Sequence, residues 1–213
     1  MFTGIVQDLC SVEAVEHDAD LSRLRITLGP LSDDLQLGAS VAVNGVCLTV
    51  TAVQERVVAF DVIAETLSLT NLGQLQAGHQ VNIERSFTTG TEVGGHIVSG
   101  HVSGVAELVQ RRVQGHNHVI QLHFPSPQLK YIFHKGFVAV DGASLTVSAV
   151  LRDSSCFEIS LIPETLARTT LGQRKEGERF NVEVEAQTVT TVDTVERLMT
   201  DPDWLKQLRQ DLN

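Results

Sequence analysis

Val41–Val50 reads VAVNGVCLTV, and 97 positions later Val138–Val147 reads VAVDGASLTV, identical at seven of ten positions. Each stretch sets two valine-rich apolar runs on either side of a two-residue punctuation, Asn44-Gly45 in the first and Asp141-Gly142 in the second. In the tightest hairpins both turn residues must tolerate positive φ, which is why Asn-Gly and Asp-Gly between such runs mark a β-hairpin. The stretch predicts a hairpin, and its recurrence predicts that hairpin twice.

Outward from it, the likeness continues in order. FDVIAETLSLTNLG (Phe60–Gly73) returns as FEISLIPETLARTTLG (Phe157–Gly172), with Glu65-Thr66-Leu67 matching Glu164-Thr165-Leu166 at a shift of 99. GHQVNIE (Gly78–Glu84) returns as GERFNVE (Gly177–Glu183), and the opening MFTGIV resembles IVSGHV (Ile97–Val102) at a shift of 96. Four collinear matches are hard to reconcile with chance among short apolar segments. Two copies with a period near 97 argue against a solenoid, which stacks three or more short units. They predict two complete domains, residues 1–96 and 97–187, with a tail at 188–213. The seam is the polar, glycine-rich SFTTGTEVGG of Ser86–Gly95.

Phe60–Ile63, Gln80–Glu84 and Phe180–Glu185 alternate or run apolar in the manner of strands. Six or so short strands in each half predict an all-β chain of two tandem six-stranded closed barrels, since closure leaves no exposed strand edge. The segments after each Glu-Thr-Leu read as brief helical turns ending in Gly73 and Gly172. The tail differs. Val189, Val192, Val195 and Leu198 or Met199 fall at helical spacing, and Asp201-Pro202-Asp203 reads as the cap and first turn of a second helix entering Trp204 and Leu205. A striped tail with no counterpart in the repeat needs a surface to cover, either its own barrel or a neighbouring subunit.

Composition narrows the function classes. The 213 residues are 42% hydrophobic but only 5% aromatic, so valine, leucine and isoleucine must fill the interior. A formal charge of −10 repels phosphate backbones and anionic membranes, so neither nucleic acid nor a membrane is an expected partner. Three scattered cysteines, Cys10, Cys47 and Cys156, are no disulfide framework and fit a reducing compartment. The N-terminus has no basic stretch followed by an apolar run, and no stretch approaches the length of a membrane span; the expectation is a cytoplasmic protein. No metal is expected. His96 and His101 are five apart and fall on opposite faces of a strand, His116 and His118 sit in a turn-like segment, and no CxxC, HExxH, GxGxxG or Walker pattern occurs.

The chemistry should sit on the duplicated loops. The first half presents Gly4, Ile5 and Val6, then Cys47, Leu48 and Thr49, then Ile63, Ala64, Glu65 and Thr66. The second presents Gly100, His101 and Val102, then Ser144, Leu145 and Thr146, then Ile162, Pro163, Glu164 and Thr165. Small residues, hydroxyls and extended backbone can take a flat heterocycle by its edge while hydroxyls hold a polyol. The copies differ where reactivity lies: Cys47 faces Ser144, Ile5 faces His101 and Asn44 faces Asp141.

MFTGIV, NGVCLTV, ETL…NLG, GGHIVSGHV, DGASLTV and IPETLARTTLG together resemble the riboflavin synthase family of the α-chain type, from Met1 through about Glu185. The resemblance implies dismutation of two molecules of 6,7-dimethyl-8-ribityllumazine by four-carbon transfer, giving riboflavin and 5-amino-6-(D-ribitylamino)uracil without metal or redox cofactor. It implies a homotrimer whose working site forms between the first barrel of one subunit and the second barrel of its neighbour. Carried over by position, it implies a first pocket of Gly4, Ile5, Val6, Cys47, Leu48, Thr49, Asp61, Val62, Ile63, Ala64, Glu65 and Thr66, closed by His101, Val102 and Ser103. The second would hold Lys135, Ser144, Leu145, Thr146, Ser160, Leu161, Ile162, Pro163, Glu164 and Thr165. Ser40, Cys47 and His101 are the implied reactive groups of the first pocket, with Asp141, Ser144 and Thr146 as counterparts. His101 would move protons, Cys47 or Ser144 would assist addition at C7 or position water, and Lys135 would steady charge. Ala64 departs from the family's usual charged residue. A non-catalytic lumazine- or flavin-binding protein of the same fold is the alternative.

Overall fold

The computed structural model describes residues 1–18, 21–115, 117–124 and 127–211; His116 lies outside them. Twelve strands form two closed antiparallel barrels. The first comprises β1 (Asp8–His17), β2 (Leu21–Thr27), β3 (Ser40–Val43), β4 (Val46–Gln54), β5 (Val57–Ile63) and β6 (Gln80–Arg85), hydrogen-bonded in the cycle β1-β2-β5-β4-β3-β6. The second comprises β7 (Gly104–Gln114), β8 (Asn117–His123), β9 (Phe137–Val140), β10 (Ala143–Leu151), β11 (Cys156–Leu161) and β12 (Arg179–Val184), joined in the same cyclic order. Register shifts at Val12/Ala14 and Val50/Ala52 recur in the second barrel at Leu108/Gln110 and Val147/Ala149. Such bulges bend strands enough to close a small barrel.

The duplicated stretch forms the β3–β4 and β9–β10 hairpins. Asn44 and Gly45 have φ of +46° and +78°, and Asp141 and Gly142 have +43° and +82°, the geometry a two-residue turn demands. Along each strand one face turns into an aliphatic core. Leu24, Ile26, Val43, Phe60 and Ile83 are fully buried in the first barrel, as are Leu108, Ile120, Phe157, Ile159 and Phe180 in the second. Short helices α1 (Ala64–Leu69) and α2 (Pro163–Arg168) follow β5 and β11. Gly73 and Gly172 do not cap these helices through positive φ, as the sequence suggested. A Cβ on Gly73 would lie 2.5 Å from the Leu67 carbonyl oxygen, and Gly172 meets Leu166 in the same way, so close approach of the helix selects glycine.

The two hairpin turns meet each other between the barrels. A Cβ on Gly45 would lie 2.6 Å from the Gly142 nitrogen. Around this contact runs a buried polar joint with approximate two-fold symmetry. Asn82 donates its side-chain amide to the Asp141 carbonyl and Asn181 donates to the Asn44 carbonyl, each at 2.8 Å. Asn181 Oδ1 accepts from the Asn71 backbone at 2.7 Å, and Asn82 Oδ1 from the Thr170 backbone at 2.8 Å. The symmetry breaks at Asp141, whose carboxylate accepts from the Asn181 backbone at 2.7 Å and Asn71 Nδ2 at 2.8 Å, with the Arg174 guanidinium 3.9 Å away.

Terminal segments cross over at the same joint. Phe2 and Val98 pair backbone to backbone at 2.8 and 3.0 Å and are buried with Ala42 and Ala139. Glu84 on β6 accepts from the Thr3 backbone and hydroxyl, both at 2.7 Å, and from the Gly4 backbone at 3.1 Å. Glu183 on β12 does the same for Ser99, at 2.7 Å twice, and Gly100, at 2.9 Å. Held this way, Val6 enters the second barrel's core and Val102 packs on the first.

The tail is helical. α3 (Ala186–Thr200) lays Val189 on the second barrel and presents Asp193 to the Tyr131 hydroxyl at 2.7 Å, while Lys130 reaches Glu196 at 2.6 Å. Asp201 caps α4 (Pro202–Asp211) by accepting from the Asp203 and Trp204 backbones at 2.9 and 3.2 Å. Val195 and Met199 remain more than half exposed. No helix among the described residues is long and apolar enough to cross a membrane.

Burial pushes the Asp141 carboxyl from its ordinary 3.8 to about 7, against the opposing pull of Arg174 and its hydrogen bonds. Between those values the folded chain holds a proton that the unfolded chain has released, so this group's contribution is fully present below about pH 4 and fades as pH rises toward 7. Asp141→Asn should remove that dependence. In urea unfolding from pH 4 to 8, its stability relative to the native chain should climb with pH, and parallel profiles would contradict the assignment.

Candidate functional site

Each crossing segment packs against the barrel it reaches, and at the second barrel it completes a cleft. At the second barrel, the Gly4 carbonyl accepts from the Ser144 backbone at 2.8 Å. Gly4 has φ of +73°, and a Cβ there would come within 2.5 Å of Ser144 Cβ. Gly95 presses from the other side, where a Cβ would lie 2.6 Å from the same atom. Ser144 is thus wedged between two glycines, which fixes the direction of its hydroxyl. His96 Nδ1 and Ser144 Oγ share a hydrogen bond of 2.6 Å, and the imidazole stacks on Phe137 at 5.3 Å and 18°. Burial holds the His96 pKa below the ordinary imidazole value, with Glu185 opposing. A neutral ring carrying its proton on Nε2 accepts the serine proton at Nδ1, so the pair can polarise the hydroxyl.

Beside this pair opens a cleft of about 210 Å³, between Ile5 and Val6 on one wall and Ile162, Thr165 and Arg168 on the other. Ile5 and Ile162 are about half and three-fifths exposed, so apolar faces stand open to receive a flat ring. Arg168 forms an ion pair with Glu164 one turn earlier on α2.

The first barrel repeats the frame with other groups. The Gly100 carbonyl accepts from the Cys47 backbone at 2.9 Å, and with φ of +86° a Cβ on Gly100 would fall 2.5 Å from Cys47 Cβ. Cys47 is half-buried, and His101, which follows Gly100, is exposed. Thr49 points outward two residues along β4. Asp61 on β5 binds Arg23 through Nε at 2.7 Å and Nη2 at 3.1 Å, and that hydrogen bond holds its carboxyl below the usual range.

Several expected residues are placed differently. Gly4, Ile5 and Val6 lie against Ser144 in the second cleft, not beside Cys47, because the terminal segment crosses the joint. Ser103 belongs to the second barrel's ladder, donating its backbone N–H to Val182 at 2.8 Å and accepting from Val184 through Oγ at 3.1 Å. Asp141 has no exposed surface and is sealed in the joint, so it reaches a ligand only through the turn it braces. Leu48, Val62 and Leu161 face the barrel cores and can offer only backbone. Ser40 pairs with Thr49 across β3–β4, Ser160 is exposed one residue before the end of β11, and Lys135 is exposed in the turn before β9 with φ of +66°. Ala64 and Glu65 open α1 exposed, as Pro163 and Glu164 open α2, while Thr66 and Thr165 are half-buried; Thr146 and Ile63 are exposed.

At the second cleft the sequence offers His96 only as a metal ligand and does not single out Arg168. The counterpart of His96 in the first half would fall before Met1, so self-comparison is blind to it. Arg168 faces Leu69 in that comparison, a difference that was visible. Among the described residues no group of three or more His, Cys, Asp or Glu side chains is placed to hold a metal ion.

Comparison with known proteins agrees with the duplication. The lumazine binding domain family matches twice, over residues 3–86 and 99–185. The chain is 44% identical over 201 residues to the riboflavin synthase of Escherichia coli (strain K12), covering 93% of each. It is 45% identical to that of Chlamydia pneumoniae over 93% of this chain and 97% of the relative. For that of Mycobacterium tuberculosis (strain ATCC 25618 / H37Rv) the identity is 43%, over 93% and 98%. Among solved structures, LumP complexed with riboflavin has a TM-score of 0.79 at 26% identity, covering 87% of this chain and all of that one. LumP complexed with 6,7-dimethyl-8-(1'-D-ribityl) lumazine, at 24% identity, shares the fold with a TM-score of 0.78 over 87% and 99%.

The wedge around Ser144 gives a direct test. Gly4→Ala adds a methyl group where the serine already sits, at a φ that alanine resists. Ligand affinity at the second cleft should fall about tenfold or more, as one displaced contact costs over a kcal/mol, while the first cleft keeps its affinity. Equal loss at both, by calorimetric titration, would mean that the segment serves folding only.

Proposed function

The chain belongs to the riboflavin synthase family, and from that premise we propose how its two clefts divide the family's reaction. The activity is that of a riboflavin synthase, and the domain that binds lumazine occurs twice. In our reading each cleft takes one 6,7-dimethyl-8-ribityllumazine, and four carbons pass from one to the other. Riboflavin and 5-amino-6-(D-ribitylamino)uracil leave. The observation that carries this reading is the repeated frame with unlike reactive groups: Gly100, Cys47 and His101 in one cleft, Gly4, Ser144 and Ile5 in the other. Two identical reactants that must play unequal parts call for that arrangement.

The second cleft, at about 210 Å³, falls below the roughly 300–1,000 Å³ of complete small-molecule sites. One chain thus encloses part of a ligand, and we assign the remaining wall to a neighbouring subunit. A homotrimer in which the first barrel of one subunit faces the second barrel of the next supplies it. The exposed Val195 and Met199 of α3, with Phe133 beside it, offer apolar surface for that assembly. Facing clefts hold the two heterocycles together, and such positioning is worth about 7–11 kcal/mol where the geometry is near-attack.

The 7-methyl group of the lumazine is acidic because the ring delocalises the resulting anion, so a modest base starts carbon–carbon bond formation. His101, exposed beside Gly100 on the first barrel, moves that proton from the lumazine it faces across the subunit boundary. In our reading Ser144, polarised by His96, holds a water in its own cleft, and addition at C7 belongs to the first cleft. Cys47 has the corresponding place in the first cleft. Lys135 lies outside the lining of the second cleft, and its expected role in steadying charge would need movement of its turn. A non-catalytic ligand holder is the less supported alternative, since the synthases share far more of this sequence than the LumP structures do.

Purified chain given only the dimethyl-lumazine should produce riboflavin's absorbance and emission, with two substrates consumed per riboflavin and no cofactor added. Replacing His101 or Cys47 should depress turnover more than thermal stability. Any other stoichiometry, or bound lumazine with no product, would remove the assignment of the site. A chain ending at Thr188 should run as a smaller species on sizing and lose turnover about tenfold or more, because the opposed clefts no longer meet. Full activity in that species would place both reactants within one chain.

A further inference from the structure

The two clefts differ in charge as well as in nucleophile. Arg168 lines the second cleft together with Ile5, Ser144 and Thr165. At the equivalent place on α1, in the first barrel, stands Leu69, which is 57% exposed. The flanking residues are preserved between the copies: Ile63 and Ile162, Glu65 and Glu164, Thr66 and Thr165, Thr70 and Thr169. On β5 the first barrel carries Asp61, ion-paired with Arg23, where β11 of the second carries Ser160. A cation at one cleft and none at the matching position of the other is a difference in function, because the frame around it is the same.

Arg168 has little structural duty. Its side chain is 63% exposed, and its partner is Glu164 on the same short helix, which is 66% exposed. An exposed pair of this kind contributes little to stability, so the guanidinium is free to exchange one acceptor for another. The reaction offers such an acceptor. When the 7-methyl C–H bond breaks, the proton passes to a base, either solvent hydroxide or a neighbouring imidazole. The electron pair stays in the heterocycle, spread onto the pyrimidine carbonyl oxygens. Those oxygens are planar acceptors of the sort a guanidinium fork matches.

We propose that Arg168 binds the ring-delocalised anion of the lumazine held in the second cleft, so that this cleft supplies the carbanionic partner and the first cleft the partner it attacks. Leu69 leaves the first cleft without that stabilisation. The asymmetry required by two identical substrates then arises from one position on each short helix. The inference rests on the reading that the second cleft binds lumazine.

The test separates the two. Lumazine binding is counted by calorimetry, and ionisation of the bound lumazine is followed by its absorbance in stopped flow across pH, before riboflavin forms. The native chain should bind two lumazines per chain, one with a lowered pKa. Arg168→Leu should still bind two, with the pKa of one raised by about one unit, a tenfold loss of anion. Arg168→Lys should restore most of it, and Leu69→Arg should lower the pKa of the other. Exchange of the 7-methyl hydrogens with deuterium should slow about tenfold in Arg168→Leu alone. Two bound lumazines with pKa values indifferent to Arg168→Leu would overturn the role of Arg168 and leave the second cleft standing. One lumazine per native chain would overturn the reading of the second cleft and the proposal with it.

Discussion

Two buried carboxylates, Glu84 and Glu183, organise this molecule. A carboxylate withdrawn from water must be met by donors. Each meets a backbone N–H and a hydroxyl from one residue of a crossing segment and a second N–H from the glycine that follows. Burial raises the Glu84 pKa while these donors pull it down, so the clamp works by mutual need. Once Thr3 and Gly4 are turned toward Glu84, the Gly4 carbonyl faces Ser144; once Ser99 and Gly100 are turned toward Glu183, the Gly100 carbonyl faces Cys47. The walls of both clefts follow from those two contacts.

Between the clefts the chain needs a joint that is rigid yet made of turns. It is built from asparagines, whose amides can donate and accept at once, and from glycines that let two hairpins touch. The joint is nearly symmetric, as two copies of one unit packed about a dyad should be. Its departures, Asp141 opposite Asn44 and Arg174 opposite Leu75, are paired with each other at 3.9 Å. The Nε of Arg174 is buried without a hydrogen-bond partner among the described residues, although the side chain borders a polar recess with His79 and Gln80.

Much of this was legible in the residues. Asn44-Gly45 and Asp141-Gly142 announced their hairpins because only a few residue types accept positive φ, and the register of the repeat located both barrels. Asp201 and Pro202 marked the start of α4 for equally local reasons. What stayed hidden was long-range. Nothing in MFTGIV says that its glycine will abut a serine 140 positions away. Alignment of the halves placed Gly4 with Cys47 because it assumes each half is closed on itself. The family resemblance implied Asp141 as a counterpart of the first pocket's reactive groups; its burial depends on the second barrel's contact with the first. His96 was weighed only as a metal ligand, because the hydrogen bond that joins it to Ser144 spans 48 positions.

The crossing of the terminal segments also bears on how such a gene can change. After a duplication the copies are usually free to diverge, each refining its own site. Here the opening residues shape the cleft of the later copy, and residues 98–102 shape that of the earlier one. Drift at Ile5 is felt where Ser144 works, and drift at His101 where Cys47 works. Each half is thereby custodian of the other's specificity, and neither could be exchanged for a homologous half without carrying a foreign wall into the site it leaves behind.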